Sequence, residues 1–166
     1  MSTSRTLLLS LRPRFADAIL SGTKTVELRR RPVNTQPETP IILYASSPTM
    51  AIVGTARLRD VQTLDPTEAW RQYQHCLGLS RPEFDAYLHG SDRAHLLRLH
   101  RVCTLDEPLP LRRLREEGRF QPPQSFRYLA ESDPHTLRTL IPTTTARRLN
   151  VLPPSIGHRG GTPRPR

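Results

Sequence analysis

Four times in this chain a proline opens a short helical stretch and a glycine closes it: Pro13 with Gly22, Pro66 with Gly78, Pro82 with Gly90, and Pro110 with Gly118. Proline suits the first helical turn, where its missing N–H would have no partner, and glycine suits the left-handed residue that ends a helix. Helices punctuated this closely run for about two or three turns. They are too short to act as repeated crossovers between parallel strands. The stretches between them are short and apolar. Residues 6–11 and 41–45 read as strands buried on both faces, 51–59 as a further strand, and 94–102 as a leucine-rich alternating one. The expected fold is therefore α+β: a small mixed barrel of five or six strands with short helices at its rim, not a doubly wound parallel sheet.

The helical stretches carry their own signals. Phe15, Ala16, Ile19 and Leu20 recur on one face of the first. Asp65 caps the second, with Glu68 three residues on, and Trp70, Tyr73 and Leu77 form its stripe up to Gly78. Ser80 and Glu83 repeat that start, with Phe84, Tyr87 and Leu88 as the buried face. Helical spacing assigns these aromatics to the core in preference to base stacking. Gly54, inside a strand, marks a bulge or a close approach by another backbone or a ligand. Residues 122–129 and a short helical piece at 134–140 follow.

Where the first helix gives way to a strand stand Gly22, Lys24, Glu27 and Arg29, at G-x-K-x-x-E-x-R spacing. Strand alternation puts Val26 and Leu28 on the core face and Thr25, Glu27 and Arg29 on the other. Glu27 and Arg29 are thus a same-face pair, worth at most about 1 kcal/mol if solvated. Lys24 falls on the turn, apart from them. It is the only lysine; the other 24 basic residues are arginine. Arginine is planar and permanently charged, whereas lysine is a compact donor able to release its proton when buried. One amine kept in so arginine-rich a chain points to a position where a guanidinium will not serve, the plainer alternative being a lysine that survived by chance within the motif.

The chain has 166 residues and a net charge of +10. Residues 1–145 hold 20 basic and 15 acidic residues, a net of +5, and residues 146–166 add five arginines and no acid. The expected organisation is one domain over 1–145 and a basic, disordered tail over 146–166. That charge favours an anionic partner, most often nucleic acid, with the tail contacting phosphates. Two cysteines, Cys76 and Cys103, and scattered histidines show no metal-ligand spacing. No metal or cofactor is expected. Without an apolar run of about 20 residues or a signal-peptide pattern, a cytoplasmic protein with no membrane contact is expected.

The chain resembles the ASCH domain, a member of the PUA-like superfamily of small β-barrels. The resemblance rests on Leu8-Leu9-Ser10-Leu11-Arg12-Pro13, on Ile19-Leu20-Ser21-Gly22, on Lys24, Glu27 and Arg29, on residues 47–54, and on Pro122-Pro123-Gln124-Ser125-Phe126. It covers residues 5–141. It implies a cleft beside the first helix, lined by the motif residues, that takes RNA or a nucleotide-like ligand. Some similar proteins are small hydrolases that remove an acyl group from a modified cytidine, and others are linked to RNA cleavage or to regulation. The lysine of those hydrolases corresponds to Lys24, while their threonine position is Glu27 here. Glu68 or Glu83 would have to provide their second acid.

Two functions follow. Binding of RNA or of a modified nucleoside needs cationic donors, for which Arg12, Lys24, Arg29 and Arg30 are candidates. Ser10 and Gln124 are candidates for reading a base edge and Tyr128 for stacking, with Glu27 as an acceptor. Hydrolysis of acylated cytidine or RNA would instead use Lys24 with Glu27. A carboxylate beside a guanidinium makes a better hydrogen-bond acceptor than a general base, which places binding first. A regulatory adaptor, with a nucleotide in the fold and the tail on nucleic acid, is a third reading.

Overall fold

The computed structural model describes residues 5–141; the expected basic tail over 146–166 lies outside the described residues. The chain runs β1 (Leu7–Leu11), α1 (Pro13–Ser21), β2 (Val26–Arg29), β3 (Pro40–Ala45), β4 (Ala51–Leu64), α2 (Pro66–Tyr73), α3 (Arg81–Leu88), β5 (Ala94–Pro110), α4 (Leu111–Glu117), β6 (Phe126–Tyr128) and α5 (Thr136–Thr139). The caps form as the local chemistry requires. Asp65 accepts from the Glu68 N–H at 3.0 Å. Ser80 and Glu83 form a reciprocal capping box, with bonds of 3.3 and 2.8 Å. Gly22 ends α1 in the left-handed conformation.

Among the described residues, six strands form one mixed sheet in the order β2-β5-β4-β3-β1-β6, curled into a half-barrel with the short helices around it. Of these strand pairs only β1 with β3 is parallel; the others are antiparallel. The β4–β5 pair is much longer than the sequence pattern suggests, 14 and 17 residues. The parts beyond residues 59 and 102 carry Asp60, Gln62, Thr63, Cys103, Thr104, Asp106 and Glu107 on partly or fully exposed positions, so no continuous apolar signal announces them. Three register shifts, at Ile52/Gly54, Thr55/Arg57 and Leu58/Asp60, let the pair bend. Each bulge adds twist to the strand that carries it, and the sheet curls where they occur.

Gly54 combines a bulge with a close backbone approach. It lies at a bulge, and a Cβ there would stand 2.6 Å from the Cys103 carbonyl oxygen and 2.6 Å from Leu20 Cδ2. The curl divides the apolar residues into three clusters. Leu7, Leu9, Leu11, Ile41, Leu43, Leu97 and Leu99 meet Ala16 and Ile19 of α1. Leu8, Ile42, Tyr44 and Ile52 meet α4 through Leu111 and Leu114. Val26, Leu28, Ala94 and Leu96 meet Leu77, Phe84 and Leu88. Alternate residues of β1 and β3 thus enter different clusters, which is why both strands read as apolar on both faces.

Two helices stop earlier than their patterns. α2 ends at Tyr73, and Leu77 is buried from the loop that follows. α5 is a single turn, and Leu137 is its buried residue. No helix among the described residues is long and apolar enough to cross a membrane.

Candidate functional site

The β1–α1–β2 unit builds the site. Arg12 is extended, Pro13 starts α1, and Gly22 turns the chain back so that the Lys24 N–H reaches the Ala18 carbonyl at 3.0 Å. This turn drives the Lys24 side chain inward, where it is 2% exposed. Its Nζ stands 2.9 Å from the Val26 carbonyl oxygen, 2.5 Å from that of Leu77 and 3.0 Å from Glu27 Oε2. An ammonium has three protons, and here three acceptors surround it. The Phe15 ring lies 5.2 Å from Nζ, and Gly78 completes the sheath: it has φ +68°, and a Cβ there would be 3.3 Å from Lys24 Cδ.

Glu27 links Lys24 to Arg29, whose Nη2 is 3.1 Å from Glu27 Oε1. Arg29 also donates through Nη1 to Ser125 Oγ at 2.6 Å and through Nη2 to the Ser10 carbonyl at 3.2 Å. Its Nε is buried with no hydrogen-bond partner among the described residues. One sequence expectation changes here: Lys24 is not apart from the pair but is its third member. Glu27 and Arg29 are each only 8% exposed, which settles the pair as buried and not a solvated bridge. Removing one partner of so buried a network costs several kcal/mol, not the ~1 kcal/mol of an exposed pair.

Above this floor opens a cleft of about 550 Å³, lined by Ser10, Arg12, Arg14, Phe15, Lys24, Glu27, Arg29, Tyr87 and Gln124 with the apolar Leu11, Leu28, Leu79 and Ala86. At the mouth Arg14 of α1 pairs with Glu83 of α3. The Ser80 backbone N–H, then Arg14 and the Ser80 side chain, hold the Glu83 carboxyl down at about 2. The cleft thus has a charged floor, cationic groups at its rim and two aromatic rings in its walls.

Six of the eight residues singled out for binding line this cleft: Ser10, Arg12, Lys24, Glu27, Arg29 and Gln124. Arg30 and Tyr128 lie outside the lining. Arg30 turns toward the His89 carbonyl and Ser91 Oγ. Tyr128 donates to the Asn34 carbonyl at 2.8 Å, with Arg5 4.3 Å from its ring centroid. Glu83 is at the rim, whereas Glu68 is taken up by Arg71 and Gln72. Arg14 at the rim and the Ser125 hydroxyl against Arg29 have no local sequence signal for these places, and Tyr87, expected in the core, lines the cleft. Phe84 and Leu88 are the buried residues of α3, and Tyr87 is 38% exposed. Tyr87 lies three residues from Phe84, so spacing alone does not separate the two.

The ASCH domain family model matches residues 9–102, more than half of the chain. An "ASCH domain-containing ribonuclease" of Zymomonas mobilis is 36% identical over 135 residues, covering 80% of this chain and 89% of that protein. The crystal structure of ASCH from Zymomonas mobilis superposes with a TM-score of 0.76 at 32% identity, over 83% of this chain and 96% of that one. The large ribosomal subunit protein uL22 of Ureaplasma parvum is 27% identical over 129 residues, and the match spans 40% of its length. With that family match and that likeness in both sequence and structure, the chain belongs to the ASCH domain family.

Proposed function

We propose that this protein binds RNA, or a modified nucleoside, in the cleft above Lys24, Glu27 and Arg29. One observation carries the reading. A cleft of about 550 Å³ sets hydrogen-bonding side chains, arginine and two aromatic rings above a buried ionic floor of Lys24, Glu27 and Arg29, the combination that a nucleotide needs. Arg12 and Arg14 at the rim suit phosphate, Ser10 and Gln124 suit a base edge, and the Phe15 and Tyr87 rings suit stacking. The ribonuclease name of the Zymomonas mobilis relative agrees with RNA as the ligand class.

That name also favours a second reading, in which this protein cleaves RNA. The floor supports binding more strongly. Three acceptors already surround Lys24 Nζ, and each Glu27 oxygen faces a cation, which leaves neither group arranged as a free nucleophile or base. The same arrangement weighs against hydrolysis of an acylated cytidine through Lys24. The tail over 146–166 would add phosphate contacts.

The test is anisotropy titration of short labelled single-stranded RNAs and of free nucleosides, with products followed by mass. Binding is expected without a change in mass, and Arg12→Gln together with Gln124→Ala should weaken it about tenfold, two lost contacts at about 0.7 kcal/mol each. Mass-shifted product that disappears on Lys24→Met, with the fold intact, would move the reading to hydrolysis. No binding to any RNA or nucleoside would remove both.

A further inference from the structure

A second basic groove lies along α4, at the end of β6 away from the cleft. Ser125 enters β6 from the cleft side, and Tyr128 leaves it beside this groove, three residues or about 10 Å further on. The groove, about 720 Å³, runs between the end of α4, with Arg115 and Arg119, and the loop that carries Asp133. A hollow of about 490 Å³ shares Arg115 with it and continues to Arg112. Asp133 is the one acid lining either. Both Arg127 terminal nitrogens donate to it at 2.7 and 2.8 Å, and the Ala130 N–H adds a bond of 2.7 Å. Burial alone would raise the Asp133 carboxyl, but these bonds outweigh it and hold it below its ordinary range. Its charge is therefore matched within the groove.

Arg112, Arg115 and Arg119 are exposed, and none has a carboxylate within ion-pair distance among the described residues. An arginine-rich composition alone does not account for this. On α2 and α3 arginines pair with acids three or four residues away, Arg71 with Glu68 and Arg81 with Asp85. On α4 the same spacing offers Glu116 to Arg112, yet no pair forms. Arg115 instead donates to the Phe120 carbonyl at 3.4 Å. We propose that this groove is a second RNA contact, a track for the phosphodiester backbone of the strand whose nucleotide occupies the cleft. The inference rests on the RNA reading above.

The experiment measures the salt dependence of binding to a labelled single-stranded RNA for the full chain and three variants. The triple change Arg112→Gln, Arg115→Gln and Arg119→Gln is compared with Arg59→Gln, Arg93→Gln and Arg101→Gln, which removes equal charge at exposed positions elsewhere. Each lost single-strand phosphate contact lowers the slope of log K against log salt by about 0.7, so the α4 triple should lower it by about 2. The control triple should leave it unchanged, and Tyr87→Ala should weaken binding at constant slope. Equal slopes for the two triples overturn the groove while leaving RNA binding in place. Absence of RNA binding by the unaltered chain overturns the RNA reading and the groove together.

Discussion

Arg29 Nη1 donates to Ser125 Oγ at 2.6 Å across 96 positions of sequence. β2 and β6 stand at the two ends of the sheet order and share no ladder, so this guanidinium, with its second bond to the Ser10 carbonyl, is the clasp between the open edges of the half-barrel. The same side chain forms the cleft floor. One residue therefore serves both the closure of the fold and the floor of the site, and substitutions at Arg29 should affect both.

Arg29→Met should destabilise the protein by about 3–5 kcal/mol, because Glu27 would lose one of its two cations while buried. Ser125→Ala should cost about 1–2 kcal/mol, since a charged donor loses its neutral acceptor. Urea unfolding of both and of the double variant gives the coupling. A double variant that loses the full sum of the two single losses would show that the clasp does not exist.

Lys24→Arg should fail to rescue what Lys24→Met loses. The ammonium is enclosed by three acceptors and by Gly78, at 3.3 Å from its stem, and a planar fork has no room there. Both variants should lose about 3–5 kcal/mol. An unfolding midpoint for Lys24→Arg equal to that of the unaltered protein would contradict the enclosure.

Gly54→Ala should destabilise by about 1–3 kcal/mol, because its Cβ would meet a backbone oxygen at 2.6 Å that cannot swing aside. Gly118→Ala is the control. It has extended backbone and nothing within 4 Å of the added carbon, so it should be neutral or stabilising by up to about 1 kcal/mol. Thermal melting of the two variants side by side tests the contrast.

Asp133 sets part of the acid limit. Its carboxyl titrates below its ordinary range in the folded state, so its contribution is complete above about pH 4 and is lost as the pH falls through that folded value. Asp133→Asn should cost about 2 kcal/mol at neutral pH and should flatten the loss of stability below about pH 4. Urea midpoints between pH 2.5 and 7 decide it, and an unchanged acid slope would count against the assignment.

Tyr87→Ala should leave stability within about 0.5 kcal/mol, since the ring is partly exposed on α3. In the RNA-binding reading it should cost about 1–3 kcal/mol of affinity, the range for one base stacked on an aromatic ring. Affinity equal to that of the unaltered protein would take Tyr87 out of the cleft's work.

Much of this was legible in local chemistry. Pro13 and Gly22 bound α1, Asp65 and Ser80 cap their helices, and alternation places Glu27 and Arg29 on one face. Each of these depends on residues within a few positions of one another. The length of β4 and β5 was not legible, because their outer parts carry many exposed polar side chains, with only Val61, Leu64, Leu105 and Leu109 packed on the core, and are placed largely by the ladder. Nor did the position of Tyr87 show, since helical spacing assigns a face only to within a turn.

For the stretch from Gly22 to Arg29, the sequence by itself determined a turn at a helix end, a strand, and three polar groups of unlike chemistry at fixed spacing. Only the tertiary structure decided what those groups do. Leu77, 53 residues beyond Lys24, brings the carbonyl that helps hold the amine, and Ser125 brings the acceptor that lets Arg29 close the half-barrel. The physical reason is that burial and hydrogen-bond partners arrive from distant segments, whereas periodicity and capping report only on near neighbours.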